Sequence, residues 1–181
     1  TDVNNCSNSI SVNVDVNPLP TITLQSSNPQ YCFGEQIQLT SSGGIQYNWP
    51  EFPSGTSSQQ TTIAQQSNWY HVIGVDANGC IASDSLFVVV NLNPILTISP
   101  DQSICLGESA IISINGASSY SWSPTGSGNS FTMNPLSTTT YTIIGTDINN
   151  CSSEVSSTIV VHPNPSAGLT ANPQITTSDS P

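Results

Sequence analysis

Residues 32–49 read CFGEQIQLTSSGGIQYNW, and residues 105–122 read CLGESAIISINGASSYSW. The two stretches align over eighteen residues without a gap, sharing Cys-x-Gly-Glu, an alternating run and Tyr-x-Trp. Farther on, WYHVIGVDANGC at 69–80 faces TYTIIGTDINNC at 140–151, and the tail of that phrase, TDVNNC, already occupies residues 1–6. A hydrophobic run ending in Asn-Pro follows each phrase: VNVDVNP (12–18), VVVNLNP (88–94) and IVVHPNP (159–165). Internal self-similarity at a fixed period is the mark of a repeat architecture. The repeat divides the chain into 1–16, the C-terminal end of a preceding repeat; 17–92 and 93–163, two complete repeats; and 164–181, the start of a following one. On this reading the chain is a window on a longer array.

Within a repeat the periodicity is two. Ile37 and Leu39 alternate with Gln36, Gln38 and Thr40, and Ile112 and Ile114 do the same in the second copy. Tyr47 and Trp49, Tyr70 and Val72, Tyr120 and Trp122, and Tyr141 and Ile143 are also spaced by two. Such alternation signals half-buried strands, and no run has helical period. Short strands parted by Gly, Asn, Ser and Pro turns predict a β-sandwich. In the first repeat, strands are expected near 20–26, 36–42, 45–50, 59–64, 68–76 and 82–92. Trp49 and Trp122, with Tyr47, Tyr120, Tyr70 and Tyr141, are the expected core.

Composition narrows the function. The chain has 181 residues, no Lys or Arg, eleven Asp plus Glu and a net charge of −11. Phosphate contacts are made mainly by Lys and Arg, so nucleic acid is excluded as a partner, and an anionic membrane surface with it. No stretch approaches the ~20 apolar residues that span a bilayer.

Each complete repeat has one early and one late cysteine, with Cys6 as the late cysteine of the preceding repeat. This allotment predicts disulfides Cys32–Cys80 and Cys105–Cys151, and a bond from Cys6 to a missing preceding repeat. A loop of that length would contribute about 4 kcal/mol in the chain-entropy model, which matters for a small sandwich. Disulfides place the chain in an oxidising, extracytoplasmic compartment. Zinc is disfavoured: there is no Cys-x-x-Cys and there are two histidines.

A unit reading C-x-G-E, Y-x-W, T-Y-T-x-x-G-T-D-x-x-x-C, a Val-rich strand and Asn-Pro resembles the Ig-like/PKD-like repeats of giant Bacteroidota cell-surface proteins. Such repeats occur in SprB-type gliding-motility adhesins exported by type IX secretion. The resemblance implies tandem extracellular repeats forming a stalk or filament that holds an adhesive domain away from the cell. Neighbouring repeats are then the partners, with lateral or end-to-end self-association as the further expectation. Two other readings stay open: a filament subunit that exchanges strands between copies, and an accessory module of a secreted polysaccharide-degrading enzyme.

Candidate sites are few. His71 faces outward beside Tyr70 and Val72, His162 lies in a linker, and neither is set against a nucleophile, so no catalytic residues and no cofactor are expected. If the expected disulfides formed, Glu35 would approach Asp76 and Asn78, and Glu108 would approach Asp147 and Asn149. Clustered carboxylate and amide oxygens suit calcium; the plainer reading is that these residues shape tight turns. Asp84-Ser85-Leu86 fits the O-glycosylation pattern of the resembled group, making Ser85 the acceptor. Phe33, Phe52, Trp69 and Phe131 are not placed by the alternation, and packing under loops is favoured for them over sugar binding.

Overall fold

The computed structural model describes residues 3–166 and 168. The chain divides into two compact units, Thr1–Asn93 and Pro94–Pro181, each an all-β sandwich with its own core.

The first unit contains β1 (Thr23–Ser26), β2 (Gln30–Cys32), β3 (Gln36–Ser42), β4 (Gln46–Asn48), β5 (Gln59–Ile63), β6 (Asn68–Val75) and β7 (Ile81–Asn91). One sheet has the order β1-β3-β5 and the other β2-β7-β6-β4. The second unit contains β8 (Thr97–Ile98), β9 (Gln102–Cys105), β10 (Ala110–Asn115), β11 (Ser119–Ser123), β12 (Ser130–Met133), β13 (Thr139–Thr146) and β14 (Ser152–His162). Its sheets run β8-β10-β12 and β9-β14-β13-β11, repeating the first unit strand for strand.

Alternation in the sequence becomes alternation in burial. In β3, Ile37, Leu39 and Ser41 point inward between exposed neighbours, as Ala110, Ile112 and Ile114 do in β10. Trp49 is fully buried and Trp122 nearly so. Each indole N–H donates to a backbone carbonyl, Ser57 at 2.9 Å and Gly128 at 2.9 Å, which satisfies the one polar atom a buried Trp carries. Tyr70 and Tyr141 are buried beside them. Tyr47 and Tyr120 are half-buried, and each clamps a hairpin: its hydroxyl donates to the carbonyl of Gly44 or Ala117 and accepts the same residue's N–H. The turn before each tyrosine needs a glycine. Gly43 and Gly116 have φ of 93° and 111°, and a Cβ on either would run into the carbonyl oxygen of Thr21 or Ile95.

Chain direction sets up the site. Each sandwich has an entrance end, where the chain arrives before β1 or β8, and an exit end, where β7 or β14 leaves. Thr23 pairs with Ser42 and Val75 with Ile81 at the first entrance. Cys32 pairs with Asn91 at the first exit. Strands β2 and β9 were not expected from the sequence. They are three and four residues long, and lie parallel to the last strand of their unit.

Residues 3–5 form a turn in which Asn5 has φ of 62°, matching Asn150 at 64° and Gly79 at 81° in the two equivalent turns. Residues 6–22 carry no strand, and Val12, Val14 and Val16 are exposed. The final strand expected in VNVDVNP is therefore not formed among the described residues. Apart from 164–166 and 168, the expected start of a following repeat lies outside the described residues.

Candidate functional site at the two ends of each sandwich

The residues that repeat most faithfully gather at the ends. At the exit of the first unit the Cys-x-Gly-Glu turn folds on itself: Cys32 N–H donates to Glu35 Oε2 at 2.7 Å, and Glu35 N–H to the Cys32 carbonyl at 3.1 Å. Phe33 N–H donates to the Asn91 carbonyl at 2.8 Å, and Asn93 Nδ2 to the Phe33 carbonyl at 3.3 Å. The second unit repeats every contact. Cys105 N–H donates to Glu108 Oε2 at 2.8 Å, Leu106 N–H to the His162 carbonyl at 2.9 Å, and Asn164 Nδ2 to the Leu106 carbonyl at 3.1 Å. The asparagine of Asn-Pro thus binds the end of the last strand to the early-cysteine turn.

At the entrance, an aspartate organises the hairpin. Asp76 Oδ1 accepts the N–H of Asn78 at 2.8 Å and of Cys80 at 2.9 Å; Asp147 Oδ1 accepts those of Asn149 and Cys151 at 2.8 and 2.9 Å. The turn closes with Asp76 N–H on the Cys80 carbonyl at 3.0 Å and Asp147 N–H on the Cys151 carbonyl at 2.9 Å. A left-handed residue, Gly79 or Asn150, precedes the cysteine, a conformation Gly and Asn tolerate best.

These positions overturn the expected disulfides. Cys32 lies opposite Asn91 at the end of β7, whereas Cys80 precedes Ile81 at its start. Eleven extended residues separate the two places, a span of about 36 Å. A disulfide needs Cα atoms about 4.4–6.8 Å apart. Cys105, opposite His162, and Cys151, before Ser152, are parted by β14 in the same way. Cys80 and Cys105 are free thiols, while Cys32 and Cys151 are each disulfide-bonded. Neither Cys32–Cys80 nor Cys105–Cys151 is formed.

The grouping expected for calcium fails with them. Glu35 lies at the exit with Cys32, and Asp76 and Asn78 at the entrance with Cys80; Glu108 is parted from Asp147 and Asn149 likewise. Each carboxylate accepts turn N–H groups instead. Among the described residues no three His, Cys, Asp or Glu side chains converge as metal ligands.

The faces of the sandwiches differ between units. In the first, His71 Nδ1 lies 2.6 Å from Glu51 Oε1, and the His71 N–H donates to Glu51 Oε2 at 3.1 Å. Burial works to raise the Glu51 carboxyl, but the His71 hydrogen bonds outweigh it and hold the group below the usual carboxylate range. Burial, with the Glu51 charge beside it, pushes the Tyr70 hydroxyl up. Trp69 and Phe87 are exposed neighbours with ring centroids 5.3 Å apart, facing across β6 and β7. Phe52 and Phe131 pack against Trp49 and Trp122, at 6.1 and 5.9 Å, and Phe33 is exposed in the exit turn. Ser85 is exposed opposite His71, beside Asp84, whose Oδ2 accepts the Leu24 N–H at 2.8 Å and so ties β1 to β7. In the second unit Ser103 Oγ lies 2.8 Å from His162 Nε2 on an exposed edge.

The chain is a pair of all-β sandwiches, each built of a three-stranded and a four-stranded sheet. No protein-family model matches it, and no curated protein matches it. Solved structures similar to it include DIP-gamma IG1+IG2, at 12% identity over 80% of this chain and 98% of that one, with a TM-score of 0.35. The insect immune protein hemolin matches at 13% identity over 84% of this chain and 49% of its own, with a TM-score of 0.42. Carbohydrate-binding modules of the β-sandwich superfamily match at 12% identity over 73% and 56%, with a TM-score of 0.34.

Proposed function

We propose that the chain is a structural repeat region of a large extracellular surface adhesin, a stalk that spaces a terminal adhesive domain from the cell. The observation that carries this reading is the placement of entrance and exit at opposite ends of each sandwich. A repeat so wired adds its length to the chain, here about 36 Å along its eleven-residue last strand. Proline at Pro94 restricts the joint, having a fixed φ and no N–H. The disulfide-bonded Cys32 and Cys151 fit an oxidising, extracellular location. A net charge of −11 with no Lys or Arg keeps parallel stalks apart until salt screens it. The sequence resemblance to SprB-type repeats is what extends this reading to a type IX secreted adhesin of Bacteroidota, gliding-motility adhesins included.

One observation favours a second reading. Val12, Val14 and Val16 alternate as a strand would, yet stand exposed outside any sheet, as expected of a strand donated to another copy. The mass of the native polypeptide under reducing, denaturing conditions separates the two. Hundreds of kilodaltons supports the stalk. A mass near 19 kDa overturns it in favour of a strand-exchanging subunit.

A further inference from the structure

Asparagine followed by glycine occurs twice in the chain, at Asn78-Gly79 and Asn115-Gly116, and the fold treats the two pairs differently. Asn78-Gly79 sits at the exposed tip of the first entrance hairpin, between β6 and β7. Gly79 has φ of 81°, and nothing lies within 4 Å of where a side chain on it would project. The peptide joining the pair is lightly held. The Gly79 N–H reaches the Asp76 carbonyl at 3.2 Å, longer than the 2.8 and 2.9 Å bonds that the Asn78 and Cys80 N–H groups make to Asp76 Oδ1. Asn115 instead ends β10, in register with Thr97 of β8. Gly116 after it lies against the Ile95 carbonyl, which closes off one side of its backbone. In the second entrance turn Asn149 is followed by Asn150, whose side chain crowds the amide between them.

We propose that Asn78 is a site of spontaneous covalent modification with water as the reagent: deamidation through a cyclic imide. The Gly79 backbone nitrogen attacks Asn78 Cγ and gives up its proton; the Cγ–Nδ2 bond breaks, and Nδ2 leaves as ammonia. Glycine is the best neighbour for this step, since no Cβ blocks the approach and its backbone turns freely. Water then opens the imide at either carbonyl. Opening at Cγ leaves aspartate, and opening at the backbone carbonyl leaves isoaspartate, with the chain running through the former side chain. The balance is one amide and one water consumed, one carboxylic acid and one ammonia formed, with no oxidant or reductant. Either product puts a new carboxylate beside Asp76. Isoaspartate also adds a methylene to the main chain of a turn whose N–H groups are spaced to meet Asp76 Oδ1. The first entrance turn therefore ages with the protein while the second keeps its form. The inference rests on the geometry of these turns and not on the adhesin reading, so either can fail alone.

The test is peptide mapping of the folded chain, and of the same chain in denaturant, after equal incubation at mildly alkaline pH. Cleavage after Asp and Glu puts Asn78 on fragment 77–84 and Asn115 on fragment 109–147. Conversion to aspartate creates a new cut after residue 78; isoaspartate leaves 77–84 uncut, with the mass of an acid in place of an amide. In the folded chain, loss of the amide at Asn78 should run at least about tenfold ahead of loss at Asn115, because β10 has to open before Asn115 can cyclise. In denaturant the two rates should converge. Equal loss at the two sites in the folded chain, or no loss at Asn78, overturns the proposal. Asn78→Gln lengthens the side chain and should abolish conversion of 77–84; conversion that persists there overturns the mechanism. Chains carrying isoaspartate at residue 78, separated by ion exchange, should show the first unfolding transition lowered and the second unmoved. An unmoved first transition overturns the ageing of the turn.

Discussion

The two sandwiches share their ends and differ on their faces. The bonds that join Cys32 to Glu35, Phe33 to Asn91 and Asn93 to Phe33 recur at Cys105, Glu108, Leu106, His162 and Asn164, and the Asp76 and Asp147 turns agree to within 0.1 Å in the hydrogen bonds each aspartate side chain accepts. On the faces, the Trp69–Phe87 pair becomes Thr140–Thr158, whose hydroxyls lie 3.0 Å apart. The Glu51–His71 pair is replaced by Pro124 and Thr142. The likeness between the two sandwiches is thus concentrated at their ends, and their faces diverge.

The comparison breaks most visibly in the core. Trp49→Ala should destabilise the first repeat by about 3–5 kcal/mol, and Trp122→Ala the second by a similar amount. Calorimetric denaturation should show one transition shifted in each variant. Equal shifts of both transitions in one variant would mean that the repeats do not unfold separately. Asp76→Ala and Asp147→Ala each strip two N–H groups of their acceptor. Each should cost about 2 kcal/mol, equally in the two repeats; unequal losses would show that the entrances are not equivalent. Ser41→Ala should act oppositely. The Ser41 hydroxyl is buried without a partner where the second repeat has Ile114, and its removal should stabilise the first repeat by about 1 kcal/mol.

The smallest effect is in acid and belongs to the first repeat alone. Glu51 has a lowered folded pKa, so its contribution is complete above the ordinary carboxylate value and fades as pH falls through the folded one. The loss should stay within the ~1 kcal/mol of a surface ion pair. Between neutral pH and pH 3, Glu51→Gln should remove this part of the first transition's acid sensitivity and leave the second transition unchanged. Identical acid profiles for Glu51→Gln and the parent chain would remove the pair from the account.

The alternation at Ile37, Leu39, Ile112 and Ile114 made the sandwich legible, because a period of two leaves one face to bury. Strands β2 and β9 were not legible, because three or four residues are too few to show a period. The cysteine pairing was misread for a topological reason. Between Cys32 and Cys80 lie four strands, and four reversals would return the chain to the end it left. But β4 is antiparallel to β6 and β5 is antiparallel to β3, so β4 and β5 travel the same way, from entrance to exit. The chain crosses three times, and an odd number delivers Cys80 to the opposite end. Spacing in sequence carries no record of that shared direction, and the calcium grouping failed through the same miscount.

The parallel pairing of a short early strand with the last strand has a mechanical meaning. Pulling the two ends of a repeat draws β2 and β7, or β9 and β14, past each other along their common axis. Every hydrogen bond in that patch is then loaded at once, in shear, whereas a hairpin pulled from its open end yields rung by rung. The first repeat has three residue pairs in its patch and the second has four. Under tension along the chain the first sandwich is therefore expected to open before the second.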